Sequence, residues 1–386
     1  MKKILYIGLA CAAASFMFSA CSDWVTPQPN DYDTGGLMNS SRGEEYYAAL
    51  REWKASRTVD ENGVPNRSVT FGWFSEWTGV GSNMSSQLMG LPDSVDFVSM
   101  WGNWNNLSPE KKEDLRKVKE IKGTKVLMCF IVANIGDQTT PPEVRESLSV
   151  GGQTYSTEQE AVNAYWGWED GNEAAIDAAI RKYARSIMDT IAKYDWDGFD
   201  LDLEPNYGSP GNIASYPDRL SIFLGEMAKE YGPKANTGMM LCVDGEPDRL
   251  NPADGHLIDF FILQAYNDGY YSTTDRRLQA LIANYDGELS PEAVVGKTIL
   301  TSNFESYGST GGPAYTMRDG GSTFQLNAYA QYYYPGVESR IGGIGAFRMV
   351  FDQNYEHYRE AMKTLHSYVY PWEAPAEGED DGSVTE

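Results

Sequence analysis

The 386-residue sequence predicts a single α/β domain built as a (β/α)8 barrel of the TIM type, on three observations. Short β-branched or aromatic runs alternate along the chain with longer segments of helical spacing, the pattern of a parallel sheet. The runs number eight, the count that closes such a sheet on itself. No GxGxxG or GxxxxGKS/T turn follows an early run, as an open nucleotide-binding sheet would require. In order, strands are expected at 69–74 (VTFGWF), 95–101 (VDFVSMW), 125–133 (KVLMCFIVA), 198–204 (GFDLDLE), 237–244 (TGMMLCVD), 258–266 (IDFFILQAY), 297–303 (KTILTSN) and 343–349 (GIGAFRM). Helices are expected at 108–123, 173–194, 217–232, 274–285 and 354–368. Ser108 and Pro109 offer the first of these a cap and a first-turn proline, and Lys122-Gly123 its stop. The connections 134–172 and 304–324 are long for such a fold. Loops at strand C-termini build the binding sites of barrels, so both are read as rims of a cleft.

The flanks have a different texture. Residues 1–20, MKKILYIGLACAAASFMFSA, place two lysines before an apolar run too short for a good membrane span, as an export signal does. Its end, Phe18-Ser19-Ala20-Cys21, resembles the lipobox of bacterial lipoproteins, which makes Cys21 the expected lipidated first residue. By the same resemblance, Ser22 rather than Asp after it argues for an outer-membrane lipoprotein facing the periplasm or the cell exterior. Residues 21–40 read as a flexible tether, 41–372 as the barrel domain and 373–386 as an acidic disordered tail. The formal charge of −24 becomes −26 once Lys2 and Lys3 are removed, which argues against a nucleic-acid partner, since that needs a basic footprint. Cys129 and Cys242 each lie in an apolar run and are expected as buried thiols rather than a disulfide. With three histidines and no Cys/His cluster, neither a metal nor a cofactor is expected, and the chain is expected to be a monomer.

Against this background the stretch 195–205, DWDGFDLDLEP, is unusual: five acids in eleven residues of otherwise strand-forming sequence. Strand side chains alternate faces, so Asp200, Asp202 and Glu204 share one face and Phe199, Leu201 and Leu203 the other. In a barrel the apolar set packs outward on the helices, and the acids line the lumen with Glu204 at the C-terminal mouth. Stacked carboxylates in a poorly solvated channel repel one another, share protons and have their pKa values pushed apart, which keeps one protonated as a general acid near neutral pH. A solvated acidic face leaves the intervening Phe and Leu side chains without a core, and a calcium loop wants a turn glycine that this run lacks; a Mg²⁺ or Ca²⁺ cage remains the alternative use of D-x-D-x-E.

Asp197-Gly198-Phe199-Asp200-Leu201-Asp202-Leu203-Glu204 matches in full the DGxDxDxE signature of glycoside hydrolase family 18, the chitinases and endo-β-N-acetylglucosaminidases. Gln264-Ala265-Tyr266-Asn267 resembles that family's Q/M-x-Y-N/D site, and the resemblance spans about residues 66–370. Together with the lipoprotein signal, the chain looks most like the secreted endo-β-N-acetylglucosaminidases of the Bacteroidetes. The resemblance implies a retaining mechanism in which the substrate's own 2-acetamido oxygen is the nucleophile, an exception to the two-carboxylate scheme. Glu204 is then the acid and base, Asp202 the partner of the acetamido N–H, Asp200 its proton-sharing neighbour and Tyr266 the donor to the acetamido oxygen. Asp197 is read as structural, at the strand entrance. Gln264 and Asn267 are candidate substrate groups, and so are the aromatic faces of Trp73, Trp77, Trp101 and Tyr207. Asn134, Asp244, Asn303 and Arg348 end strands and are expected to bind sugar on that position alone.

Two departures bear on substrate. Leu203-Glu204-Pro205-Asn206 stands where chitinases of the family often carry W-E-Y-P, and GIGAFRMVFD lacks their eighth-strand tryptophan, leaving Phe347, Met349 or Phe351 to replace it. Both point away from chitinase; the substrate expected is an N-acetylglucosamine-containing glycan or glycoprotein, cut at the GlcNAc-GlcNAc bond of N-glycan cores. A chitinase-like hydrolase and a non-catalytic surface glycan-binding protein on the same fold are the alternatives.

Overall fold

The computed structural model describes residues 42–81 and 83–367. Cys21, the 21–40 tether, the ends of the 41–372 domain and the acidic tail lie outside the described residues.

Eight parallel strands close into one barrel: β1 (Val69–Phe74), β2 (Phe97–Trp101), β3 (Lys125–Ile131), β4 (Gly198–Leu203), β5 (Met240–Gly245), β6 (Phe260–Leu263), β7 (Thr298–Asn303) and β8 (Gly343–Phe347). Each strand pairs with its neighbours in sequence, and β8 closes on β1 with Phe71 opposite Gly345. All eight lie where hydrophobic runs predict them: β1 matches its predicted ends, β5 starts three residues later and ends one later at Gly245, and the other six are shorter at one or both ends. The largest difference is at β6, which stops at Leu263: the backbone N–H of Ala265 turns back to the carbonyl of Leu263, so Gln264 and Tyr266 leave the ladder just above the rim.

The helix Glu173–Tyr194 spans its predicted range. Its buried residues Ile176, Ile180, Tyr183, Ile187 and Ile191 recur at helical spacing, Asn172 caps its start, and Asp195 ends it in the left-handed conformation at φ 61°. The expected 108–123 helix is Pro109–Lys117, capped by Ser108, followed by a five-residue π-helical turn to Lys122 that Gly123 terminates at φ 65°. A helix not anticipated from the sequence, Glu44–Ala55, precedes the barrel and buries Tyr47 and Leu50. The long connection after β3 is ordered by helices Pro142–Ser147 and Glu158–Trp166, with a short hairpin between them. That after β7 carries a short helix, Phe304–Tyr307, and a hairpin of Ala314–Thr316 with Ser322–Phe324.

Two apolar cores result. The larger lies between strands and helices and takes Phe199, Leu201 and Leu203 from β4. The smaller fills the lumen with Val69, Phe71, Trp73, Phe97, Leu127, Cys129, Met240, Cys242, Phe260, Ile262 and Ile299. Below the site, Phe97 stacks on Phe260 at 5.4 Å between ring centres and Phe71 leans on Phe97 at 4.8 Å. Gly345 leaves room for Phe71, since a Cβ there would lie 2.6 Å from that ring. Among the described residues no helix is long and apolar enough to cross a membrane.

Candidate active site

Because β4 is a regular strand, its alternation places Asp200, Asp202 and Glu204 up the lumen in that order. Asp197 stays at the bottom. Its carboxylate accepts the backbone N–H of Val126 at 2.8 Å and pairs with Lys119 at 3.2 Å, joining β4 to β3 at the strand entrance.

Asp200 has no exposed surface, and Ser99, which β2 points inward between Phe97 and Trp101, donates its hydroxyl to Asp200 Oδ2 at 2.6 Å. The other oxygen, Oδ1, is buried without a hydrogen-bond partner. Burial pushes the Asp200 carboxyl up to about 6. Asp202, one turn of the pleat higher, is 3% exposed, and its carboxyl is driven well above the usual range by desolvation and then by the charge of Glu204. Asp244 on β5 stands opposite Asp202 in register and has no exposed surface. Its carboxyl is also pushed well up, by burial and by the charges of Asp202 and Asp200. Among the described residues none of these three has a cationic partner. Buried carboxylates without a counter-ion are neutralised by protons, so the layer holds protons at neutral pH.

Gln264 bridges the top of this layer, donating Nε2 to Asp244 Oδ1 at 2.9 Å and leaning on Asp202 Oδ1 at 3.5 Å. Above it stand Glu204 and Tyr266, both half-buried. Burial, then the charges of Asp244, Asp202 and Glu204, holds the Tyr266 hydroxyl well above its usual range, so it remains a proton donor. Around Tyr266 an aromatic wall closes the floor. Phe347 lies 5.9 Å from Tyr266, 6.1 Å from Trp73 and 6.1 Å from Trp101 between ring centres. Of the three candidates for the missing tryptophan, Phe347 is the one in this wall. Met349 is buried against Gly72 in the outer core, and Phe351 is 42% exposed.

The remaining candidates separate. Trp73 is buried at the base of the wall and Trp101 is half-buried at its edge. Asn267 is exposed at the mouth, and Tyr207 stands in the turn after β4 at 61% exposure. Trp77 is not in the site: it lies in the outer core and donates its indole N–H to Asp114 at 2.7 Å. Asp244, expected at a rim, is beneath it. Asn134 accepts the backbone N–H of Asn212 at 3.0 Å and so ties the loop after β3 to the loop after β4. Asn303 caps the helix Phe304–Tyr307 through the N–H of Ser306. Arg348, at φ 49°, is held by Glu305 at 3.2 Å and Glu76 at 3.5 Å. These three carry structural bonds that a strand-end position does not reveal. Ser99, by contrast, was findable, because period-two alternation on β2 puts it on the same face as Phe97 and Trp101.

A barrel whose C-terminal mouth carries a proton-holding carboxylate layer, a tyrosine and an aromatic wall is the build of a glycosidase, and the comparisons agree. The chain belongs to glycoside hydrolase family 18: the model of its BT1044-like group matches residues 32–369. A selenomethionine-labelled glutamate-to-glutamine variant of BT1044 is 33% identical with a TM-score of 0.69, over 86% of this chain and 94% of that one. A double mutant of the endo-β-N-acetylglucosaminidase of Cordyceps militaris, in a complex with fucosyl-N-acetylglucosamine-asparagine, has a TM-score of 0.51 at 14% identity over 85% of this chain and 97% of that one. The apo form of that enzyme superposes with the same TM-score of 0.51 at 15% identity. No curated protein sequence matches the chain.

Proposed function

We propose that this glycoside hydrolase cuts the β-1,4 bond between the two N-acetylglucosamines of N-glycan cores, with retention and with the substrate's acetamido group as nucleophile. The observation that carries the reading is Asp202: buried, without a cation, beside Glu204 and held from behind by Gln264. Such a carboxylate is poorly placed to attack a sugar from bulk-facing geometry but well placed to take a hydrogen bond from an N–H delivered into the mouth.

Glu204 protonates the glycosidic oxygen as the C1–O bond breaks. The acetamido carbonyl oxygen bonds to C1 on the opposite face, giving an oxazolinium. Its N–H is held by Asp202, which offsets the positive charge, while Tyr266 donates its hydroxyl to the acetamido oxygen and aims it. Glu204, now ionised, takes a proton from water as that water adds to C1 and the oxazolinium C1–O bond breaks, returning its electron pair to the acetamido group, and the two inversions restore the starting configuration. Phe347 and Trp101 offer faces for the sugar ring, in the place where the family's chitinases use tryptophan. Trp73 supports that wall, and Tyr207 and Asn267 meet the more distant sugars. The protein is further read as a monomer held on the outer membrane through lipidated Cys21, facing the periplasm or exterior.

Digestion of high-mannose and complex N-glycoproteins, followed by mass measurement, tests the reading. The protein should retain one N-acetylglucosamine per site, and Glu204→Gln should lower the rate at least about 100-fold. Cleavage of chitin oligosaccharides alone supports the chitinase-like alternative. Binding without release, unchanged in Glu204→Gln, supports the glycan-binding one.

A further inference from the structure

The acid layer contains one carboxyl more than the DGxDxDxE strand supplies, and the mechanism above does not use it. Asp244 comes from a different strand, β5, and meets Asp202 across the β4–β5 ladder. It cannot touch substrate, since it has no exposed surface and lies under Gln264. Its surroundings are specific. Oδ1 accepts Gln264 Nε2 at 2.9 Å, and Oδ2 lies 3.7 Å from the buried Cys129 thiol. The carboxyls of Asp200 and Asp244 and the Cys129 sulfur have oxygen or sulfur atoms within 4.8 Å of one another. Asp200 Oδ1, buried in the same layer, has no hydrogen-bond partner. The titratable groups around Asp244 are Asp200 and Asp202 on β4, Cys129 on β3, Cys242 on its own strand and Tyr266 after β6, with Glu204 just beyond β4 beside Asp202. None of them is a cation, so among the described residues no neighbour favours the ionised form of Asp244.

We propose that Asp244 is a positioning residue: it keeps its own proton and donates it to its carboxylate neighbours, and so holds Asp202 ionised and oriented for the acetamido group. The three acids then have distinct duties. Asp244 is a hydrogen-bond donor throughout the cycle, gaining and losing no proton. Asp200, fixed from one side by Ser99, is the acceptor beneath, and Asp202 is left as the carboxylate free to turn toward substrate. Burial raises Asp244 and Asp202 alike, but the hydrogen bond between the two carboxyls raises Asp244 and lowers Asp202, in keeping with a shared proton that rests on Asp244.

This inference deepens the proposed mechanism and rests on it, so its test has one arm independent of turnover. Carboxyl ¹³C resonances of labelled aspartate are followed with pH in the full chain, assigned through Asp244→Asn and Asp202→Asn. The Asp244 resonance should stay at its protonated position at pH 7. In Asp244→Leu, which lacks the donor, the Asp202 midpoint should rise by about one unit or more, whereas Asp244→Asn, with an amide donor, should restore it. Kinetically, Asp244→Leu should lower kcat about 30-fold or more with KM within threefold, and Asp244→Asn should recover most of that loss. An ionised Asp244 at pH 7, or an Asp202 midpoint equal in Asp244→Leu and wild type, overturns the proposal. A wild type that releases no glycan while the titration behaves as described overturns the proposed function instead.

Discussion

At the scale of single residues, the lumen trades stability for chemistry. Asp200 is fully buried with its carboxyl raised to about 6, above the unfolded value of 3.8. An acid whose folded pKa is raised binds protons more tightly in the native state, so its contribution is intact below about pH 4 and is lost as pH rises through about 6. Asp200→Asn should therefore raise the melting temperature, and by more at pH 8 than at pH 5, while lowering turnover; equal shifts at both pH values would remove burial of charge as the cause. Single side chains differ in how far the sequence alone places them. The alternation of β4 fully determines the faces of Asp200, Asp202 and Glu204, because a two-residue period leaves no choice once the strand exists. The expectations for Asn134, Asn303 and Arg348 rested on chain position, and position does not show that a side chain is already engaged by Asn212, Ser306 or Glu305. Asp244 was visible only as a strand end; its partnership with Asp202 depends on the β4–β5 register, which needs a three-dimensional ladder.

At the scale of the element, β4 depends on how closely it approaches β5. Gly198 opens the strand at φ 153°, and a Cβ there would lie 2.2 Å from the Met240 carbonyl oxygen. That oxygen cannot move without breaking the barrel, so Gly198→Ala should destabilise the fold by roughly 2–4 kcal/mol and displace the acid layer with it. Denaturant titration measures the first effect; a loss below about 0.5 kcal/mol would show that β4 tolerates the shift. The strands and the helix Glu173–Tyr194 are legible because each has one strong period and clear stop signals; Glu44–Ala55 is not, since only Tyr47 and Leu50 of its 12 residues are buried. The short helices Pro142–Ser147 and Phe304–Tyr307 and the two small hairpins were not, since elements of so few residues have too little periodicity to register and are held by the loops around them.

At the scale of the whole molecule, the two ends of the barrel differ in charge balance: the acids above have no cationic partner among the described residues, whereas below them Asp197 pairs with Lys119 and Asp96 with Arg67. Near the bottom, Arg57 lies 4.8 Å over the Phe260 ring, and Arg67 lies 4.2 Å over the ring of Trp53 from the preceding helix. His366 on the last helix packs edge-on against Trp53 at 5.1 Å, and its buried Nε2 has no hydrogen-bond partner. Burial lowers its pKa from 6.5 to about 4. A base with a depressed folded pKa stays neutral in the native state while the unfolded chain takes up a proton, so stability should fall between about pH 6.5 and 4 and level off below. The loss is at most roughly 3 kcal/mol. His366→Phe should flatten that slope in denaturant midpoints measured across this range; an unchanged slope would place acid sensitivity elsewhere.

In the proposed mechanism the acetamido oxygen of the substrate, and no enzyme carboxylate, attacks C1 while Asp202 holds the N–H. Proton NMR of the reducing end in the first moments of glycan release, before mutarotation, reads this directly, together with mass measurement of the enzyme trapped during turnover. Retention, with the β-anomer formed first and no sugar bound to the protein, is the predicted result. An α-anomer formed first, or a glycosyl ester on Asp202 or Glu204, would contradict it.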